Sequence, residues 1–133
     1  MRILIVEDEL SNRLMLSECL RGDHRTDVAV NGQEAVLAFQ LAHMETDPYQ
    51  VVLLDIEMPV MDGQETMKTI REMEAGMGVK TGQEAKVLMI SAHGDQQNMF
   101  DAVFKGGASG YLVKPVACEA LLDSISNVVK RKS

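Results

Sequence analysis

Tryptophan is absent from this 133-residue chain, and only three phenylalanines and two tyrosines are present, so aromatic packing cannot dominate the core. The interior must be built from aliphatic side chains and from ten adaptable methionines. Cysteine is equally sparse: Cys19 and Cys118 stand far apart, with no CxxC and no metal-ligand spacing. In a reducing compartment the expectation is two small, partly buried thiols rather than a disulfide. His24, His43 and His93 are scattered, which argues against zinc. No apolar run approaches the roughly 20 residues of a membrane span. The opening Met1-Arg2-Ile3-Leu4-Ile5-Val6 is too short and too soon acidic for a signal peptide, so a cytoplasmic location is expected. Positive charge is in deficit, with 13 Lys and Arg against 20 Asp and Glu. A net charge of −7 repels phosphate backbones and anionic lipid, so neither nucleic acid nor membrane is an expected partner of the domain itself.

The length fits one domain over residues 1–133, and the apolar pattern alternates between two periods. Ile3–Val6, Asp27–Val30, Val51–Leu54, Val87–Ile90 and Tyr111–Val113 read as short strands. Helical patterns fall between them. The first spans about Leu10 to Arg21, with Leu10, Leu14, Leu16, Cys19 and Leu20 near one face. A second presents Ala35, Ala38, Phe39 and Ala42, and opens at Asn31, where Glu34 stands at capping-box spacing. Asp62 and Glu65 repeat that spacing before Met67, Ile70 and Met73. A fourth helix is expected after Asp95, and the last carries Cys118, Leu121, Leu122, Ile125, Val128 and Val129. Five strands alternating with five helices imply an open parallel sheet covered on both faces. The glycine-rich stretch from Glu74 to Ala85 reads as a surface loop without an assigned role.

What stands at the strand ends carries the chemistry. The first strand runs into Glu7-Asp8, the third into Asp55, the fourth into Ser91 and the fifth into Lys114. The carboxyl ends of a parallel sheet share one edge, and ligands bind there. Each residue alone has an ordinary explanation as a cap, a turn residue or a solvated charge. Together they place three carboxylates, a hydroxyl and an ammonium on one rim. Two carboxylates about 4 Å apart repel by roughly 4 kcal/mol at an effective dielectric near 20. A divalent cation relieves that repulsion, and a few carboxylates with room for water and phosphate suit Mg²⁺. Mg²⁺ and Lys114 then balance the three acids, and the site can admit a phosphoryl group with a carboxylate as nucleophile.

These residues also resemble a known family. Glu7-Asp8, the segment Leu53-Leu54-Asp55-Ile56-Glu57-Met58-Pro59-Val60-Met61-Asp62-Gly63, Ser91-Ala92 and Tyr111-Leu112-Val113-Lys114-Pro115 are similar to the receiver domain of two-component response regulators, over essentially the whole chain. The resemblance implies a flavodoxin-like sheet of strand order 2-1-3-4-5. It implies that Asp55 accepts a phosphoryl group from a phosphohistidine on a histidine kinase or phosphotransfer protein. Glu7, Asp8, Asp55 and the backbone carbonyl of Glu57 would hold Mg²⁺, and Lys114 would meet a phosphoryl oxygen. Pro115 matches the family's proline, where the preceding bond is typically cis. Ser91 and Tyr111 would form the switch, reshaping the face made by the fourth helix, fifth strand and last helix. Glu57 and His93 occupy the positions that tune acyl-phosphate lifetime. Such a domain catalyses only its own phosphorylation and dephosphorylation, as a monomer or a phosphorylation-dependent dimer.

Two other readings use the same residues. A haloacid-dehalogenase-like phosphohydrolase also sets an Asp beside Mg²⁺, but it wants Asp-x-Asp where this chain has Asp55-Ile56-Glu57. A receiver-like interaction module that is never phosphorylated would not need the full set of acids, Ser91 and Lys114. Nucleotide-binding glycine motifs are missing. The output partner is unassigned, and the chain is either a stand-alone regulator or one piece of a protein with a fused effector domain.

Overall fold

The structure, a computed structural model, describes residues 1–22, 24–56, 58, 60–92 and 105–130. Its strands are β1 (Arg2–Val6), β2 (Arg25–Ala29), β3 (Val51–Asp55), β4 (Lys86–Ser91) and β5 (Gly110–Val113). Its helices are α1 (Leu10–Cys19), α2 (Gly32–Met44), α3 (Gly63–Gly76) and α4 (Cys118–Lys130). The helix expected after Asp95 lies outside the described residues, as do Glu57, Pro59, His93 and the basic 131–133 tail.

Strand order is β2-β1-β3-β4-β5, and every pairing is parallel, which gives the flavodoxin-like architecture. Alternation along the strands sorts side chains between the two faces. Leu4, Val6, Val52, Leu54, Val87 and Met89 pack with Phe39, Met67 and Ile70 of α2 and α3. Their neighbours Ile3, Ile5, Val51, Leu53, Leu88 and Ile90 pack with Leu16, Leu121 and Ile125 of α1 and α4. Each such aliphatic side chain, once fully buried, contributes about 1.5–3 kcal/mol against the entropy of ordering the chain.

The caps form where the spacing places them. Asn31 Oδ1 accepts the Glu34 amide at 2.9 Å, and Glu34 Oε1 accepts the Val30 amide at 3.1 Å. Asp62 Oδ1 accepts the Glu65 amide at 2.9 Å at the start of α3. At the opposite end of the sheet, Arg2 binds Asp27 Oδ2 through Nε at 3.1 Å and Nη2 at 2.9 Å, and the Tyr49 hydroxyl donates to the same oxygen at 2.7 Å.

Four expectations are corrected. β2 begins at Arg25, because parallel pairing places Arg25 beside Arg2. Leu10 and Leu14 are exposed; the helix phase turns Leu16 and Leu20 to the core instead. Glu74 is not in a surface loop but inside α3, buried, with its carboxylate accepting the Ala85 amide at 2.7 Å and facing Arg71 Nη1 at 2.7 Å. Cys19 and Cys118 are joined as a disulfide with Cα atoms 5.4 Å apart, since α1 and α4 lie side by side on one face of the sheet. That separation suits a cross-link.

Candidate functional site: an acid cluster at the carboxyl edge

The three acids named from the strand ends converge. Glu7, Asp8 and Asp55 each offer a carboxylate oxygen within 4.8 Å of the others. Glu7 and Asp55 are only 1% and 2% exposed, whereas Asp8 faces solvent. Lys114, from the far end of the sequence, reaches the same place: its Nζ lies 3.1 Å from Asp55 Oδ2 and 3.3 Å from Glu7 Oε2. The Lys114–Pro115 peptide bond is cis.

Local structure holds each member. Glu7 follows β1, and its amide donates to Ala29 O at 3.0 Å. Asn12 Nδ2 donates to Glu7 Oε1 at 3.1 Å, and Arg13 Nη1 donates to the Glu7 carbonyl at 3.0 Å. Asp55 ends β3, and Ile56 continues the sheet by donating its amide to Ile90 O at 2.9 Å. Behind it, the Gly63 amide donates to Ile56 O at 3.1 Å as α3 begins. Lys114 is fixed by its own amide, which donates to Ser91 O at 2.8 Å. Asn12 and Arg13 did not stand out in the sequence as parts of the site. Both look like ordinary solvated helix positions, whereas Gly63 closes the segment around Asp55 that carries the family resemblance.

The electrostatics follow from burial and crowding. Burial and a hydrogen bond with Glu7 push the Asp55 carboxyl up to about 7, although Lys114 pulls it down. Burial works against the Lys114 ammonium, but Asp55 and Glu7 outweigh it and hold its pKa above the ordinary lysine value. An acid that keeps its proton near neutral pH beside an ammonium marks a cluster with surplus negative charge. The donors are all hard carboxylate oxygens, the set that suits Mg²⁺. The residues therefore fit such a cation.

Ser91 is fully buried at the end of β4, and Tyr111 is half-buried on β5. In the β4–β5 register Met89 lies opposite Tyr111 and Ser91 opposite Val113, so Ser91 and Tyr111 sit two positions apart on the same face. Tyr111 packs against the core shared with α2 and α3. Glu57 and His93 are outside the described residues.

Fold and rim define the class: a doubly wound α/β domain with a cluster of acids at the carboxyl edge of its sheet. Residues 3–126 match the response regulator receiver domain, and the chain belongs to that family. It is 36% identical over 129 residues to the chemotaxis protein CheY of Halobacterium salinarum, covering 96% of both chains. Among solved structures it resembles CheY in the CheX–CheY–BeF3–Mg²⁺ complex of Borrelia burgdorferi, with a TM-score of 0.84, 30% identity and coverage of 98% and 90%. It also resembles the receiver domain of Ssk1 crystallised with the histidine phosphotransfer protein Ypd1 of Saccharomyces cerevisiae. There the TM-score is 0.81 and the identity 30%, with coverage of 95% and 86%. Among the described residues, no helix is long and apolar enough to cross a membrane.

Proposed function

We propose that this receiver domain is a Mg²⁺-dependent phosphoacceptor in a two-component phosphorelay, with Asp55 as the residue modified. The observation that carries the reading is the position of Lys114 Nζ, 3.1 Å from Asp55 and 3.3 Å from Glu7 within the acid cluster. Glu7, Asp8 and Asp55 would hold the cation, with the backbone carbonyl of Glu57 as a further ligand. Bound Mg²⁺ would supply neutralisation of the acids and of the charge on the incoming phosphoryl oxygens.

Asp55 gives up its proton and one carboxylate oxygen attacks phosphorus in line with the leaving imidazole of a phosphohistidine. The P–N bond breaks, the imidazole takes up a proton, and an acyl phosphate remains on Asp55. Lys114, pointing at that oxygen and held by Ser91 O from behind, turns its ammonium to the phosphoryl group as charge develops. Ser91 and Tyr111 are the switch pair: the serine hydroxyl engages the phosphoryl group and the ring follows into the vacated space. That biases an equilibrium between two arrangements of β5 and the helices flanking it, with Glu57 and His93 tuning how long the phosphoryl group stays.

The donor is a histidine kinase or a phosphotransfer protein, in line with the complex formed by the Ssk1 receiver and Ypd1. Exposed Leu10 and Leu14 open α1 just beyond Asp8 and offer apolar contact to whatever protein presents the phosphohistidine. The setting is cytoplasmic, the chain is not an enzyme that turns over a separate substrate, and its output passes through a partner or a fused effector domain.

Phosphoramidate, whose P–N bond mimics phosphohistidine, should add one phosphoryl group to the protein with Mg²⁺ present, read by intact mass. Asp55→Asn should abolish the addition. An unchanged wild-type mass, with a competent kinase also tried, overturns the reading, and sustained release of phosphate from simple phosphate esters would point to the phosphohydrolase instead.

A further inference from the structure

We propose that the Cys19–Cys118 disulfide is a reductant-sensitive clamp on the wall of the acid site, an inference that rests on the phosphoacceptor reading above. The bond joins the last residue of α1 to the first residue of α4, across 99 residues of sequence. Both helices lead directly to the acids. α1 carries Asn12 and Arg13, which hold Glu7. α4 is entered through Lys114, Pro115 and Val116, and Lys114 touches Asp55 and Glu7. Between them lies a cavity of about 250 Å³ lined by Glu7, Asn12, Met15, Leu16, Lys114 and Val116 among others. The Met15 sulfur is 3.9 Å from Cys19 Sγ, so the wall of that cavity rests against the cross-link.

The bond is also reachable. Cys118 is exposed and Cys19 half-buried. Disulfides that form in a reducing compartment are mostly transient and redox-sensing rather than structural. Exchange balances with a dithiol as the reductant. One thiolate of the dithiol attacks Cys19 Sγ, the S–S bond breaks, and Cys118 leaves as a thiolate. Its place in the first turn of α4, whose N–H groups have no acceptor within the helix, favours its departure as a thiolate. The second thiol of the dithiol then displaces Cys19, so two electrons and two protons pass to the protein pair and the dithiol closes into its own disulfide. With the bond open, α1 and α4 lose their covalent tie, and Lys114, still anchored by its amide to Ser91 O, holds its ammonium less firmly against Glu7 and Asp55.

The test uses the purified chain, Mg²⁺ and phosphoramidate, with and without dithiothreitol, following phosphoryl uptake by intact mass. Alkylation under denaturing conditions counts free thiols in the same samples. The oxidised protein should show none and the reduced protein two. Reduction should slow phosphoryl uptake by about fivefold, the lower end of ordinary coupling between sites. The double variant Cys19→Ser/Cys118→Ser should match the reduced rate and ignore dithiothreitol. Equal or faster uptake after reduction overturns the clamp, as does finding two free thiols without reductant. Absence of uptake in both states instead refutes the phosphoacceptor reading, and the coupling with it.

Discussion

Gly63 lies so close to the main chain of Asp55 that a Cβ added to it would stand 2.5 Å from the Asp55 carbonyl oxygen and 2.7 Å from Ile56 Cα. Neither atom belongs to a flexible side chain, so the backbone itself must shift to admit a methyl group. The start of α3 and the end of β3 are thus packed in direct contact, and the position of Asp55, the proposed phosphoacceptor, depends on it. Gly63→Ala should destabilise the protein by about 1–3 kcal/mol, the usual cost of overpacking, and should slow phosphoryl uptake at Asp55. Denaturant unfolding and intact-mass kinetics measure the two effects. A variant with unchanged stability would show that this contact is not tight.

Asp55 should make the stability of the metal-free protein fall as pH rises. Its folded-state pKa of about 7 lies above the ordinary carboxylate value of 3.8. Between those values the folded form binds more protons than the unfolded one, so its contribution is fully present at low pH and is lost as pH climbs through about 7. Binding of Mg²⁺ competes with that proton, so its stabilising effect should grow from about pH 5 to about pH 8. Thermal unfolding of wild type and Asp55→Asn, in chelator and in Mg²⁺, isolates the Asp55 contribution. Identical pH profiles for the two proteins in chelator would contradict the raised pKa.

Much of this rim was legible in the sequence because its signals are local or periodic. The unbroken apolar run Val51-Val52-Leu53-Leu54 and its end at Asp55 locate a strand buried on both faces and its edge, and parallel topology then brings distant strand ends together. Asn31 and Asp62 announced their helices by spacing alone. Other features depend on tertiary contact and leave no local trace. Nothing near Cys19 signals Cys118. The apolar positions of α1 are spread around the helix, so the sequence does not set its rotation, and Leu10 and Leu14 share a reading with Leu16 that only the packing separates. Glu74 sits before a glycine-rich, polar stretch where an acid ordinarily means solvent, and beyond its i,i+3 neighbour Arg71 its other partner, the Ala85 amide, is supplied by folding.

That buried pair supplies a prediction of its own. Arg71 Nη1 bonds Glu74 and the Ala85 carbonyl, while Nη2 donates to Gly107 O at 2.8 Å, tying α3 to the approaches of β4 and β5. Glu74→Ala removes the carboxylate beside the guanidinium and strands the Ala85 amide, and should cost about 3 kcal/mol. Glu74→Gln keeps an acceptor for the amide and should cost less. Equilibrium unfolding of both variants checks the order, and equal losses would show that the charge, not the acceptor, carries the effect.

Val60 offers the converse case, a residue whose replacement should stabilise. Its φ is +73°, a left-handed conformation that a β-branched side chain adopts only under strain, and the side chain is 74% exposed, so little packing compensates. Strain of this kind costs about 1–3 kcal/mol. Glycine removes it but gives back about 0.5–1 kcal/mol through greater freedom of the unfolded chain. The balance favours Val60→Gly by about 1 kcal/mol, a rise in Tm of several degrees for a domain of this size. Calorimetry of the two proteins decides the matter: a lower Tm for the glycine variant would mean that Val60 makes stabilising contacts outweighing its backbone strain.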